Sequence, residues 1–131
     1  YLGGEVGAST RMKLCVNMTM GVFIAGLAEG VHLAGALDLQ KDTFVQILTQ
    51  GAMGCPLVSV KGPKIAQDER NHAPNFPLKH AQKDVSFAIA HGKAAGINNL
   101  PAAAAANGEM VQAMEKGFGD QDFSAIIEGM N

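Results

Sequence analysis

The chain has no tryptophan, one tyrosine and two cysteines among its 131 residues. Cys15 and Cys55 cannot build the disulfide lattice that replaces a core in small secreted domains. They form neither a C-x-x-C pair nor a metal-ligand spacing, and the scattered histidines add none, so no metal is expected. Charge is sparse at 17% of residues, and the formal net charge is −2. Nothing in that balance invites nucleic acid or an anionic membrane surface. No secretory leader is visible, and a reducing intracellular compartment, cytoplasmic or organellar, fits the cysteine usage. The uncharged stretch Leu14–Ala28 is bounded by Lys13 and Glu29 and falls short of the roughly 20 residues of a membrane span. It reads as a buried core helix, with Cys15 a small reduced hydrophobe inside it. There is no P-loop, nucleophile elbow, paired-carboxylate signature or G-x-G-x-x-G following a strand. The chain begins with Tyr1 rather than methionine, which suggests an excised or processed piece.

What is present is apolar and helical. With 47% apolar residues, the chain can bury one core, and a single domain over residues 1–131 is expected. Gly3, Gly4 and Gly7 make a flexible entry, and Ser9 or Thr10 can cap a helix that runs to about Leu37. Its middle is apolar on nearly all sides and should be covered from several directions. Gly21, Gly26, Gly30 and Gly35 each cost that helix about 1 kcal/mol against alanine. Close approach of another helix or another subunit would compensate. Asp42 can cap a second helix, Thr43–Gln50, with Gly51 as its stop. Short turns follow at Leu57–Val60 and Lys64–Gln67. Pro77 suits the first position of a helix ending near Gly92 or Gly96. Another helix runs from Pro101 to about Lys116, with five consecutive alanines that permit close packing. Gly117 and Gly119 end it, and a last short helix spans Phe123–Glu128. Met12, Met18, Met20, Met53, Met110 and Met114 read as core filler. The fold class predicted is all-α, with five to six helices around one long central helix.

Two clusters carry candidate chemistry. Lys13 and Asn17 lie one helical turn apart, so both heads leave the same face. They can be surface residues on a polar edge. Alternatively, Lys13 moves a proton while Asn17 holds the substrate or the lysine head. Burial and the adjacent helix N-terminus would push a lysine below its solvated value, towards general acid–base work. The second cluster is Phe76-Pro77-Leu78-Lys79-His80-Ala81-Gln82-Lys83-Asp84. It pairs Lys79 with Lys83 and His80 with Asp84 at one-turn spacing, and a solvated face with a weak ion pair is its plain reading.

At Gly7–Asn17 and Phe76–Asp84 the chain resembles the C-terminal helical domain of the β-hydroxyacid dehydrogenases, whose fold is that of the 6-phosphogluconate dehydrogenase C-terminal domain. Gly7, Lys13 and Asn17 match the family's glycine, lysine and asparagine, and Ser9 stands where a second glycine is usual. Gly51-Ala52-Met53 with Pro56, Lys61-Gly62-Pro63, Pro101-Ala102-Ala103-Ala104 and Asp122–Glu128 resemble the glyoxylate and succinic semialdehyde reductase branch. The resemblance implies an NAD(P)H-dependent reductase of small aldehyde or keto acids. A Rossmann domain, absent from this chain, would hold most of the NADP, with NAD as the alternative. It further implies that Lys13 is the catalytic proton donor, that Asn17 and Gly7 serve substrate binding, and that Phe76, Asp84 and Lys83 lie at the cofactor. A homo-oligomer packed through this domain is also implied, and the chain alone should be inactive. The rival expectation is a catalytically silent helical oligomerisation module. A third is a helical domain that stands alone.

Overall fold

A computed structural model describes residues 4–67 and 72–130. Five α-helices, α1 (Ala8–Ala36), α2 (Lys41–Gln50), α3 (Pro56–Ala66), α4 (Leu78–Ala94) and α5 (Pro101–Ala113), are followed by a π-helical turn, Met114–Phe118, and a 3-10 helix, Phe123–Met130. The described residues contain no strand, only one isolated antiparallel bridge between Pro77 and Asp122. The all-α expectation is met.

The long helix α1 is the axis, packing against α2, α3, α4, α5 and the 3-10 helix. Its Ile24, Ala28 and Val31 are fully buried, as are Val85 of α4, Met110 of α5 and Ile126 of the 3-10 helix. Two of its glycines permit this closeness. A β-carbon at Gly21 would come within 2.7 Å of Val85, and one at Gly30 within 2.6 Å of Phe44. At Gly26 a β-carbon would meet nothing within 4 Å.

Helix α1 is covered from several directions, as expected, but one side of it stays open. Met12, Val16 and Leu33 are 47%, 57% and 58% exposed, and Thr19 and Gly26 are exposed beside half-buried Phe23. From Met12 to Gly26 these positions recur at spacings of four and three, a heptad seam along one side of the helix; the next such position, Gly30, is closed by Phe44. Cys15 is exposed rather than buried, because it borders the seam and not the core. Met12 and Met53 are not core filler, the latter being 50% exposed, whereas Met110 is. By length and a mean hydropathy of 1.6, α1 could cross a membrane, with 39% of its most apolar stretch buried.

Element ends differ from expectation for local reasons. Gly7, not Ser9 or Thr10, caps α1, in the left-handed region at φ 93°, and its carbonyl accepts from Arg11 N–H at 3.0 Å. Gln40 rather than Asp42 precedes α2, leaving Asp42 in the first turn, where its charge suits the helix dipole. The two turns expected between Leu57 and Gln67 are one helix. Pro63 sits inside α3, where a proline removes a helical hydrogen bond, and burial of Val58, Gly62 and Ile65 offsets the loss. Helix α5 stops at Ala113 because the chain widens into the π turn, inside which Gly117 reaches φ 93°.

Glu29 of α1 and Glu109 of α5 bring two carboxyls together. Burial first, then the hydrogen bond and the charge of Glu29, push the Glu109 carboxyl up to about 7. Its Oε2 is buried without a partner among the described residues. A carboxyl whose folded value lies above its unfolded 4.5 binds its proton more tightly in the fold, so stability falls as pH rises between those two values. Urea unfolding across pH 4.5–7 should show that decline, and Glu109→Gln should flatten it; an unchanged slope would refute the pairing.

Candidate active site

A buried carboxylate, Asp84, organises the first cluster. It is 4% exposed on α4, and a charge so placed needs partners. Asn17 Nδ2 donates to Asp84 Oδ2 at 2.7 Å, and Lys13 Nζ stands 3.8 Å from the same oxygen. One turn of α1 thus meets one position of α4. A carboxylate only accepts, so Asn17 must present its nitrogen to it, leaving its own carbonyl oxygen as an acceptor. The Lys13 side chain is 63% exposed. The burial expected of this lysine is not supplied by the chain, because residues 9–13 of α1 are all exposed and overhang the bundle. His80 is not the ion-pair partner expected for Asp84, since that carboxylate is turned to α1.

Phe76 sits just before α4, half-buried, its ring 6.3 Å from that of His80 and edge-on to Phe123 at 6.0 Å. His80 and Asp84 lie one turn apart on α4, and Phe76 precedes that helix. The Phe76 backbone is held by a second buried carboxylate. Asp122 Oδ1 accepts from Asn75 N–H at 3.0 Å and Phe76 N–H at 3.2 Å, and Asp122 Oδ2 from Ser124 N–H at 3.1 Å. Lys61 Nζ donates to both oxygens at 2.7 and 2.8 Å and lies 4.7 Å above the Phe123 ring. Burial alone would raise the Asp122 carboxyl, but the hydrogen bonds from Lys61, Ser124 and the Asn75 backbone outweigh it and hold it well below the usual carboxylate range.

His72 Nδ1 lies 2.9 Å from Ser124 Oγ, and its Nε2 lies 3.4 Å from Glu128 Oε1. The order serine, histidine, carboxylate is that of a nucleophilic triad. Here Ser124 is fully buried and His72 and Glu128 are 2% and 3% exposed. No substrate can reach the hydroxyl, and the three side chains act as a strut. Among the described residues there is no metal-type cluster.

Comparison with known proteins decides the family. The sequence pattern described as NAD-binding of NADP-dependent 3-hydroxyisobutyrate dehydrogenase matches residues 7–130. The chain belongs to this dehydrogenase family. It is 44% identical over 130 residues to glyoxylate/succinic semialdehyde reductase 1 of Arabidopsis thaliana, covering 99% of this chain and 44% of that protein. It is 43% identical over 131 residues to the chloroplastic reductase 2 of the same plant, covering 99% of this chain and 35% of that protein. The chain therefore spans less than half the length of these relatives. The fold matches a crystal structure of 3-hydroxyisobutyrate dehydrogenase from Salmonella typhimurium with a TM-score of 0.85 at 24% identity, over 93% of this chain and 42% of that one.

Within this dehydrogenase-type domain, three of the sequence-derived candidates meet: Lys13, Asn17 and Asp84. Gly7 does not join them. It starts α1, and its nearest side chain is Arg11, 3.8 Å from where a β-carbon would stand. Lys83 is exposed on α4 with no ion pair or hydrogen bond to a described residue. Lys79 instead pairs with Asp120, whose carboxyl that contact holds below its ordinary value. Sequence reasoning passed over Lys61, His72, Asp122 and Ser124 as site supports. A lone lysine inside the apolar run Leu57–Pro63 was the available signal.

Asn17→Ala would leave the buried Asp84 carboxylate with only the more distant ammonium. A loss of about 1–3 kcal/mol, the usual cost of an orphaned buried acceptor, is expected in urea unfolding at neutral pH. No loss would mean that the Asn17–Asp84 bond does not hold α1 to α4.

Proposed function

We propose that this chain is the helical half of a two-domain, NAD(P)H-dependent reductase of small aldehyde or keto acids of the glyoxylate or succinic semialdehyde type, with Lys13 as proton donor. The observation that carries this reading is the shared grip of Asp84 on Asn17 and Lys13 at an open end of α1. It is supported by the identity to the two plant reductases.

The described residues fit one edge of a dinucleotide and not the whole of it. Phe76 offers a half-buried aromatic ring before α4, and Lys83, next to Asp84 in sequence, offers an exposed cation on that helix. No strand and glycine-loop unit is present among the described residues to cradle a pyrophosphate. A Rossmann half of the same protein would supply that. NADP is the cofactor we assign, with NAD as the alternative, and when bound it supplies the hydride.

The chain's own residues supply the proton. A carbonyl oxygen that gains charge as hydride arrives needs a donor within hydrogen-bond reach. Lys13 Nζ gives its proton to that oxygen, the product leaves as an alcohol, and the exposed amine takes a proton back from water. Asp84 keeps the lysine head and the Asn17 amide in register. Asn17 is left free to accept from the substrate through its carbonyl oxygen. Two free thiols suit a reducing intracellular setting.

A second role rests on a separate observation. The side of α1 from Met12 to Gly26 is mostly apolar, heptad-spaced and exposed or half-buried among the described residues, and a β-carbon at Gly26 would meet nothing within 4 Å. A second copy of this domain laid against it would bury the seam and give a homo-oligomer. In a protein that lacks turnover, that would be the whole function.

In the intact protein, Lys13→Ala should cut the rate of NADPH-dependent glyoxylate or succinic semialdehyde reduction by about 10²–10⁴, and a near-normal rate would remove Lys13 from the mechanism. The chain by itself should not oxidise NADPH. Light scattering should report a dimer or larger species, reduced to monomer by Val16→Glu with Phe23→Glu; a monomeric parent would refute the assembly role.

A further inference from the structure

We infer that Lys61 and Asp122 are positioning residues for the site: their buried ion pair sets the backbone of Phe76, and with it the half-buried aromatic ring at the start of the helix that carries Asp84. The inference rests on the proposed reductase reading for its kinetic consequence only. The anchoring itself stands on geometry.

Three features separate this pair from an ordinary structural salt bridge. Its acceptors are used on one particular segment. Asp122 Oδ1 takes the N–H groups of Asn75 and Phe76, Phe123 N–H donates to Phe76 O at 2.9 Å, and Asp122 N–H donates to His72 O at 3.0 Å. Lysines of α3 grip the same segment, with Lys61 Nζ 3.4 Å and Lys64 Nζ 2.9 Å from Asn75 Oδ1, and Lys64 Nζ 3.0 Å from Ala73 O. Finally, the segment runs directly into α4, whose Leu78 and Lys79 N–H groups are taken by Gln121 O at 2.8 Å and Gly119 O at 2.9 Å. The start of α4 is therefore hydrogen-bonded to the segment before the 3-10 helix. Phe76 is fixed at both its N–H and its C=O, while its ring stays half-buried and open on one side.

A buried ion pair of this kind often adds little stability over a well-packed apolar pair. Four backbone and side-chain donors converging on one carboxylate instead define where Phe76 stands. Displacing an aromatic ring by about 1 Å is enough to change how a planar ligand seats.

The test uses two uncharged pairs in the intact protein. Lys61→Met with Asp122→Asn keeps an acceptor oxygen for the Asn75 and Phe76 N–H groups, and Lys61→Met with Asp122→Leu removes it. Amide hydrogen exchange at Asn75 and Phe76 is read beside KM for NADPH and for the aldehyde. With the leucine pair, exchange at both amides should rise by about tenfold or more. KM for NADPH should rise by about tenfold, with KM for the aldehyde within about twofold. The asparagine pair should restore both readouts. Unchanged exchange in the leucine pair, or an asparagine pair as impaired as the leucine pair, would overturn the inference. Should the leucine pair fail to fold, the unaltered protein still decides. There the Asn75 and Phe76 amides must exchange more slowly than that of Ala73, whose N–H has no acceptor among the described residues, and equal rates would overturn the inference. Absence of any reductase activity would sink the proposed function, while the exchange data would still judge the anchor.

Discussion

The carboxylate of Asp122 is where three separate stretches of chain are made to agree. Helix α3 reaches it through Lys61, the segment before α4 through two backbone N–H groups, and the 3-10 helix through its own first turn. In water each of these donors would find another acceptor. In a site with no exposure to solvent, leaving any of them unpaired costs about 1–3 kcal/mol. The three segments therefore keep one register or lose the arrangement together. Asp84 repeats the principle on a smaller scale, binding α4 to the first turns of α1 through Asn17 and Lys13.

Local chemistry was readable without coordinates, and the meetings of distant residues were not. The apolar run after Lys13 foretold α1, and Pro101 with its alanines foretold α5. The one-turn spacing of Lys13 and Asn17 foretold that they share a face. Nothing local said that Asp84 would complete them, because 67 positions separate it from Asn17, and its one-turn neighbour His80 offered a misleading partner. Lys61 and Asp122 are 61 positions apart, and though each stood in a recognisable segment, nothing in either segment said that they would meet. Proline hid α3, since a break is the sound expectation for Pro63 and only the burial around it restores the helix. The same limit explains Cys15 and Met12. An all-apolar helix looks buried until it is known which of its sides the rest of the chain can reach.

Helix α1 presents different chemistry on its different sides. The core side of α1 is fitted closely, with Gly21 against Val85 and Gly30 against Phe44. Its seam side is apolar and open. The Lys13 cluster occupies a third direction, at the overhanging end. The proposed chemistry and the proposed assembly therefore draw on different side chains, and the two proposals are compatible in one domain.

Helix α1 is also a stiff rod. From Gly26, the open point of the seam, to Lys13 is about 20 Å at the usual rise per residue. A tilt of only about 3° about that point would carry the lysine head through about 1 Å, a displacement on the scale that alters rates by two orders of magnitude. Whatever settles against the seam therefore works on the ammonium group through a long arm. In a dimer formed through the seam, the crossing angle of two such rods would also fix where the proposed proton donor stands.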